Sequence, residues 1–446
     1  MGLFGSKFPD TDKLEKQEKD NKRLYQEVLA TANSKDLAEY MELKDDINSP
    51  EFIKEKARIE AINWKNSTEF SKLKEYLRLS KNKDLKAYFA LFGSSELNAY
   101  LSFKASETYP ELSDKKKRKA SVELQRFYRF ENSKSYKSYQ KIDGSSILKR
   151  YEELKAELET EVFKTKEEFM KNKQRWNTTE GAEKERRFND LAEDKDIKNY
   201  ITYHNSPIFD LYKNYEVSFA EDFAPEKLDI LKWKTEFYLG SEFGPGNYST
   251  IDHLQAYSNG RNIEILRDYL DIETREEKAT ARVWHPEHGF IQKEMNFTSG
   301  VISTGKSFKQ NEGIFKIKLK TDSKAPLSHS VQLVSPKGNI QIKVLQLTAK
   351  GRPIVGLSIF DGKRHTNRSA IIKRLNLNSK FYIASFEWQK EMLIWKINDV
   401  EVFRTEIKLP KTELFLEIAS VMHKTRKKPT PGKITLDWIK AYSKTA

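Results

Sequence analysis

The stretch Gly313-Ile314-Phe315-Lys316-Ile317-Lys318-Leu319-Lys320 alternates apolar residues with lysines from Phe315 onward. Alternation with a period of two is typical of a β-strand that buries one face and exposes the other. Leu393-Ile394-Trp395-Lys396-Ile397 repeats the pattern, and turn signals such as Pro336-Lys337-Gly338-Asn339 separate segments of this kind. Many short strands between residue 232 and the end of the chain predict an all-β sandwich or barrel.

The residues before position 216 follow a helical period instead. Ile147-Leu148-Lys149-Arg150-Tyr151-Glu152-Glu153-Leu154 places apolar residues three and four positions apart, which is the spacing of one helix face. Helix starts recur in this half. They are marked by Ser, Asn or Asp, whose side chains can cap a helix by accepting a hydrogen bond from a backbone N–H. The four main starts are Ser34, Asn82, Ser133 and Asp194, each with Tyr six positions later, and second starts follow at Ser49, Ser94, Ser145 and Ser206.

Four copies of a unit of roughly fifty residues predict an all-α repeat array whose members bury their apolar faces on neighbours. We therefore expect an N-terminal arm at 1–20, helical repeats at 21–215, a linker at 216–231 and a sandwich at 232–446. The junction is placed near Pro225, which disfavours helix at the residue before it. The helical half has one histidine and no Gly-rich phosphate loop, so we interpret it as a scaffold, spacer or docking surface.

The composition of the 446 residues excludes several classes of protein. Aromatic residues make up 12%, which argues against a wholly disordered chain. No run approaches the ~18 apolar residues of a membrane span, and the absence of cysteine excludes disulfide scaffolds and thiolate chemistry. The net charge is +14, but Lys and Glu alternate as on solvated helix faces, so nucleic acid is not the predicted partner. No signal peptide is predicted at the N-terminus, and the localisation stays open.

Five elements of the second half, taken in order, resemble glycoside hydrolase family 16, the laminarinase-like enzymes with a concanavalin-type β-jelly roll. Phe297-Thr298-Ser299-Gly300-Val301-Ile302-Ser303-Thr304 is similar to the family's T-S-G-x-I-x-T element. Ile394-Trp395-Lys396-Ile397-Asn398-Asp399 resembles its I-x-W-Y-V-D-G hairpin, and Leu436-Asp437-Trp438-Ile439-Lys440-Ala441-Tyr442 resembles its closing strand. The other two elements lie at 262–274 and 313–319. The resemblance implies a jelly-roll sandwich over 232–446.

In that family the chemistry lies on a strand reading E-I-D-I-L-E, whose two glutamates serve as nucleophile and acid/base. The matching stretch here is Gln341-Ile342-Lys343-Val344-Leu345-Gln346, so Gln341, Lys343 and Gln346 replace all three acids. A carboxamide can neither form a glycosyl ester nor donate a proton near neutral pH. Residues 323–360 contain no Asp or Glu, so a shift in register restores no carboxylate pair. The resemblance therefore implies a pseudo-glycosidase with no catalytic residue.

The polar residues on this strand and near it are predicted to form a glycan-binding cleft. Its candidates are Gln341, Lys343, Gln346, His329 and Gln332, with Trp284 or Tyr248 as a stacking face. The alternative is that the glutamines are neutral remnants and that the lysine and histidine are merely solvated.

No cofactor and no metal site are predicted. His253, His285 and His288 lack a tight ligand spacing. A structural calcium ion occurs in the resembled fold, but the chain shows no Asp cluster that demands it.

The sequence thus predicts a non-catalytic binding or assembly protein, in which a helical stalk presents a sandwich that recognises a polysaccharide or a partner protein. The alternative is a structural subunit of a large multi-protein particle such as a virion, with the sandwich as a protein-binding block. An active β-glucan hydrolase is the third reading, and it requires acids supplied from another strand.

Overall fold

The computed structural model of the chain describes residues 8–244, 246–378 and 380–445. The predicted order, with helices first and an all-β region second, is confirmed. The chain divides into two compact units, one formed by Thr31–Lys198 and the other by Met1–Ala30 together with Asn199–Ala446. Within the described ranges, no helix is both long enough and apolar enough to cross a membrane.

The α-helices are short, and most of them lie in the unit Thr31–Lys198. They are α1 (Thr11–Ala32), α2 (Lys35–Ile47), α3 (Pro50–Glu60), α4 (Thr68–Leu79), α5 (Lys83–Leu91), α6 (Ser95–Lys104), α7 (Lys115–Ala120), α8 (Val122–Glu131), α9 (Lys134–Ile142), α10 (Ser146–Glu159), α11 (Glu161–Lys171), α12 (Glu180–Glu193), α13 (Lys195–Tyr203), α14 (Asp210–Asn214) and α15 (Tyr238–Phe243). All eight predicted helix starts are confirmed, because each of those side chains accepts a backbone N–H two or three residues further on.

The helical unit folds back on itself, so that helices distant in sequence pair with each other. Helix α2 contacts α12, α4 contacts α10 and α5 contacts α9. Stacked aromatic rings mark the outermost of these pairs, with the Tyr40 and Phe188 centroids 5.1 Å apart. The first predicted copy, which begins at Ser34, therefore packs on the third, which begins at Ser133, and this differs from the expected stacking of sequence neighbours. Periodicity identifies the apolar face of each helix but not the helix that covers it.

The second unit contains the strands. They are β1 (Tyr215–Glu221), β2 (Ser249–Thr250), β3 (Gln255–Tyr257), β4 (Ile263–Leu266), β5 (Tyr269–His285), β6 (Gly289–Ser299), β7 (Val301–Ser303), β8 (Gly313–Asp322), β9 (Leu327–Val334), β10 (Ile340–Leu347), β11 (Pro353–Phe360), β12 (His365–Ile371), β13 (Tyr382–Gln389), β14 (Met392–Ile397), β15 (Val400–Glu406), β16 (Phe415–Met422) and β17 (Gly432–Lys444). The larger sheet has the order β15-β14-β13-β8-β17-β5-β6-β3, and the smaller sheet has the order β12-β11-β10-β9-β16-β7.

The two sheets enclose one apolar core. Ile317 of β8 and Trp395 of β14 come from the larger sheet, and Ile342 of β10 and Leu357 of β11 come from the smaller sheet. These side chains are 2% exposed or less, because alternation along each strand sends every second residue inward. The remaining polar residues of the smaller sheet therefore point to its other side.

The boundaries of the sandwich unit differ from the expected ones. Strand β1 pairs antiparallel with β17 from Tyr215 to Glu221, so the predicted linker 216–231 begins inside the larger sheet. Helix α1 begins at Thr11, within the predicted arm 1–20, and Trp438 Nε1 donates to its Glu15 Oε1 at 2.6 Å. These contacts join residues far apart in sequence, which local patterns do not record.

Candidate functional site

Strand β10 carries a β-bulge that keeps three polar side chains on one face. Its register with β9 shifts between Lys343 and Leu345, and its register with β11 shifts between Lys343 and Gln346. In a regular strand, side chains three positions apart point to opposite faces, but a bulge adds one residue and restores the direction. Gln341, Lys343 and Gln346 therefore share what we call the outer face of the smaller sheet, while Val344 and Leu345 lie in the core.

A hydrogen bond from the core fixes the bulge. Trp395 Nε1 of β14 donates to the carbonyl oxygen of Lys343 at 2.9 Å. The Trp395 side chain is fully buried, with the Phe386 ring centroid at 4.9 Å and the Phe403 centroid at 5.1 Å. A buried indole N–H needs an acceptor, so packing of the ring and position of the Lys343 backbone are linked.

The outer face continues across the neighbouring strands as a row of side chains. Gln332 of β9 is the register partner of Lys343, and Glu417 of β16 is the register partner of Gln332. Directly opposite residues of an antiparallel pair have Cβ atoms about 4.5–5.5 Å apart. Lys343, Gln332 and Glu417 are thus neighbours in that order. The predicted grouping of Gln332 with the β10 residues agrees with this register.

Glu417 is the one acidic residue in the strands of the smaller sheet, all of which are described. It is buried, and Gln332 Nε2 donates to its Oε1 at 3.0 Å. Burial raises the pKa of Glu417 to about 7, against the lowering effect of the Gln332 hydrogen bond. The sequence prediction does not include this residue, because Glu417 lies on β16 and not on the strand that matches the family motif. Its only sequence signal is a lone Glu inside an apolar strand.

The segment around α15 covers the outer face beside Glu417. The Tyr238 ring lies 4.7 Å from the ring of Phe415, which is on the same strand as Glu417. Leu239 packs closely against Gly338. A Cβ atom added at Gly338 would lie 2.7 Å from Leu239 Cδ1. This cover accounts for the burial of Glu417 at a position that would otherwise face solvent.

Lys343 is half-buried, and burial lowers the pKa of its ammonium group. Across residues 8–244, 246–378 and 380–445, the Lys343 ammonium makes no hydrogen bond or ion pair, and the Gln341 and Gln346 amides make no hydrogen bond. These donors and acceptors are therefore available to a bound molecule.

His329 does not belong to the outer face, contrary to expectation. It lies on β9 three residues from Gln332, and in a regular strand such residues point to opposite faces. Its Nδ1 is 2.7 Å from Ser420 Oγ, and its Nε2 is buried without a partner among the described residues. Burial lowers the pKa of His329 to about 3, so the ring is neutral at physiological pH.

Trp284 lies on β5 and Tyr248 immediately precedes β2, so neither is on β9 or β10, and both contact Phe290. The ring of Phe290, near the turn between β5 and β6, is 5.1 Å from Trp284 and 5.4 Å from Tyr248. Trp284 is 44% exposed. Tyr248 also lines a polar cavity of about 370 Å³, and burial, with a smaller contribution from the charge of Glu417, raises the pKa of Tyr248.

The turn between β5 and β6 brings together ligand atoms that the sequence spacing did not suggest. His285, Glu287 and His288 place one ligand atom each within 4.8 Å of one another. His285 Nδ1 accepts the backbone N–H of Glu287 at 3.2 Å, which leaves its Nε2 as the donor atom for a metal. The group is largely exposed, and three such residues on a surface turn do not define a metal centre by themselves.

No protein-family model and no curated protein sequence matches this chain. Several solved structures are similar to its second half. The catalytic domain of an endo-1,3-beta-glucanase (laminarinase) from Thermotoga petrophila RKU-1 is 14% identical, covers 52% of this chain and 99% of its own, and has a TM-score of 0.43. An endo-beta-1,3-glucanase from Pyrococcus furiosus is 13% identical, covers 52% and 95%, and has a TM-score of 0.42.

SCLam, a non-specific endo-beta-1,3(4)-glucanase from family GH16, is 16% identical, covers 52% of this chain and 92% of its own, and has a TM-score of 0.43. Identities of this size bear on the fold alone. The C-terminal sandwich is similar to these structures, and its outer face carries the amides and the lysine described above.

Proposed function

We propose that the C-terminal sandwich is a non-hydrolytic domain that binds a polysaccharide on the outer face of its smaller sheet. The observation that carries the proposal is the bulged strand β10, which presents Gln341, Lys343 and Gln346 side by side without partners among the described residues. A carboxamide offers both donors and acceptors, so it matches sugar hydroxyl groups, which also donate and accept. A ligand that pairs these groups exchanges their hydrogen bonds to water for direct ones, each of which contributes about 0.5–1.5 kcal/mol.

The content of acidic residues supports binding without cleavage. Retaining hydrolysis uses two carboxyl groups about 5 Å apart, one ionised and one protonated. The strands of the smaller sheet carry a single carboxyl group, that of Glu417, and Gln332 occupies one of its oxygens. The amides of Gln341 and Gln346 can take neither role. The same layout of side chains therefore favours a sugar-binding surface over a hydrolase.

Affinity electrophoresis in gels that contain β-1,3-glucan or β-1,4-glucan tests the proposal. We expect the protein to be retarded, and we expect the double variant Gln341→Ala/Gln346→Ala to bind about ten-fold more weakly or worse, since each lost hydrogen bond costs about 0.5–1.5 kcal/mol. Gln125→Ala is the control, because it removes an amide from α8 in the helical unit, away from the sandwich.

Two results decide between this proposal and its alternative. Absence of retardation on every polysaccharide contradicts the glycan-binding proposal. If the native mass then shows a large homogeneous assembly, a structural subunit of a multi-protein particle becomes the better account. A protein that stays monomeric at high concentration speaks against the structural reading.

A further inference from the structure

Lys343 differs from Lys318 and Lys433, two other lysines of the sandwich that are at least partly buried, because it has no anion beside it. Lys318 pairs with Glu15 and with Asp437, both at 2.7 Å. Lys433 pairs with Asp271 at 2.6 Å. In the part of the chain that the structure describes, no carboxylate lies within ion-pairing distance of the Lys343 ammonium.

The smaller sheet supplies no anion to Lys343. Glu417 is its single acidic residue and lies two strands from Lys343, with Gln332 between them. Strands are spaced about 4.8 Å apart, so the two backbones are separated by about 10 Å. Gln332 also donates to the Glu417 carboxylate at 3.0 Å, which ties that group to β9.

An unpaired ammonium group in a partly buried position is costly, because burial removes water that it would otherwise bind. Burial is also what lowers the pKa of Lys343. An anion placed at Nζ would offset this cost, and the adjacent amides of Gln341 and Gln346 can hold uncharged hydroxyl groups of the same ligand. Strand β10 thus presents the cationic side chain of Lys343 between the neutral amides of Gln341 and Gln346.

We propose that Lys343 makes the outer face selective for polysaccharides that carry an anionic group, either a uronic acid carboxylate or a sulfate ester, over neutral glucans. This inference rests on the proposed function, since it names the class of glycan that the same face binds. Lys is a compact point charge with three donors and fits either anion. The two sources of negative charge are separated by the experiment.

Isothermal titration calorimetry with three sets of oligosaccharides tests the proposal: neutral glucan, uronate and sulfated glucan oligosaccharides of equal length. Salt is kept at about 0.15 M, where the Debye length is about 8 Å, to suppress non-specific attraction to the basic chain. We expect the wild-type protein to bind one or both anionic sets about ten-fold more tightly than the neutral set. The set that is preferred identifies carboxylate or sulfate as the source.

Variants assign the selectivity to one residue. Lys343→Gln should lose the preference for anionic sugars, and a circular dichroism spectrum that matches that of the wild type shows that the variant is folded. Lys343→Arg should keep the preference. Lys337→Gln is the matched control, because it removes the same charge from an exposed residue in the turn between β9 and β10, and it should also keep the preference.

The failures of the two proposals are distinguishable. Equal affinity of the wild type for neutral and anionic oligosaccharides overturns the selectivity but leaves glycan binding intact. The same follows if Lys337→Gln loses the preference as fully as Lys343→Gln does. Absence of binding to all three sets overturns the proposed function itself.

Discussion

Glu417 couples the stability of the sandwich to pH through a single side chain. Burial raises its pKa from the ordinary 4.5 to about 7. Between these two values the folded protein holds a proton that the unfolded chain releases, so the free energy of unfolding falls as pH rises and levels off above pH 7. We expect this group to cost about 3 kcal/mol of stability at pH 8 relative to pH 4, at about 1.4 kcal/mol for each pH unit.

Urea denaturation of the wild type and of Glu417→Gln between pH 4 and pH 8 measures this contribution. The variant keeps an oxygen for the Gln332 hydrogen bond and has no charge to bury, so its advantage over the wild type should grow between pH 4.5 and pH 7. Glu413→Gln is the control, because Glu413 is exposed on the loop before β16. Parallel pH profiles of the wild type and Glu417→Gln would refute this account of Glu417.

The residues of the outer face that lie on one strand, β10, were predictable from the sequence. Gln341, Lys343 and Gln346 lie on the strand that matches the family motif, and Gln332 follows from its pairing with β10. His329 was misplaced because the alternation of side chains along β9 was not applied to it. Glu417 was missed because the register of β9 with β16 joins residues 85 positions apart.

At the scale of elements, local chemistry determines where the helices of the helical unit begin, but not which helices pair with each other. Helix starts such as Ser133 were predictable, because a cap involves a side chain and a backbone N–H three residues away. The pairing of α2 with α12 was not, because many helices in this unit have a similar apolar face and the sequence does not state which two meet.

A double-mutant cycle tests the pairing of α2 with α12. Tyr40 and Phe188 stack at 5.1 Å although 148 positions separate them. Tyr40→Ala and Phe188→Ala should show a coupling energy of about 0.5–1.5 kcal/mol in urea denaturation, the size expected for an aromatic pair in contact. Tyr40→Ala combined with Tyr139→Ala should be additive, because Tyr139 stacks on Tyr88 instead. Additivity of the first pair would favour stacking of sequence neighbours.

At the scale of the whole molecule, the sandwich unit is discontinuous in sequence. It takes the chain up to Ala30 and then resumes at Asn199, so Thr31–Lys198 is an insertion. The hydrogen bond between Trp438 and Glu15 and the pairing of β1 with β17 close the unit. The sequence could not reveal this, because α1 is rich in Lys and Glu like the helices that follow it. The change in periodicity near residue 216 falls within β1.

The central claim is that the sandwich binds a polysaccharide and does not cut it. The most direct measurement follows the release of reducing ends from the polysaccharide that retards the protein, with wild type and Glu417→Gln side by side. The account predicts no release above the protein-free blank for either protein, together with undiminished retardation. Release by the wild type that Glu417→Gln abolishes would contradict it, because a single carboxyl group would then be working as a catalytic residue.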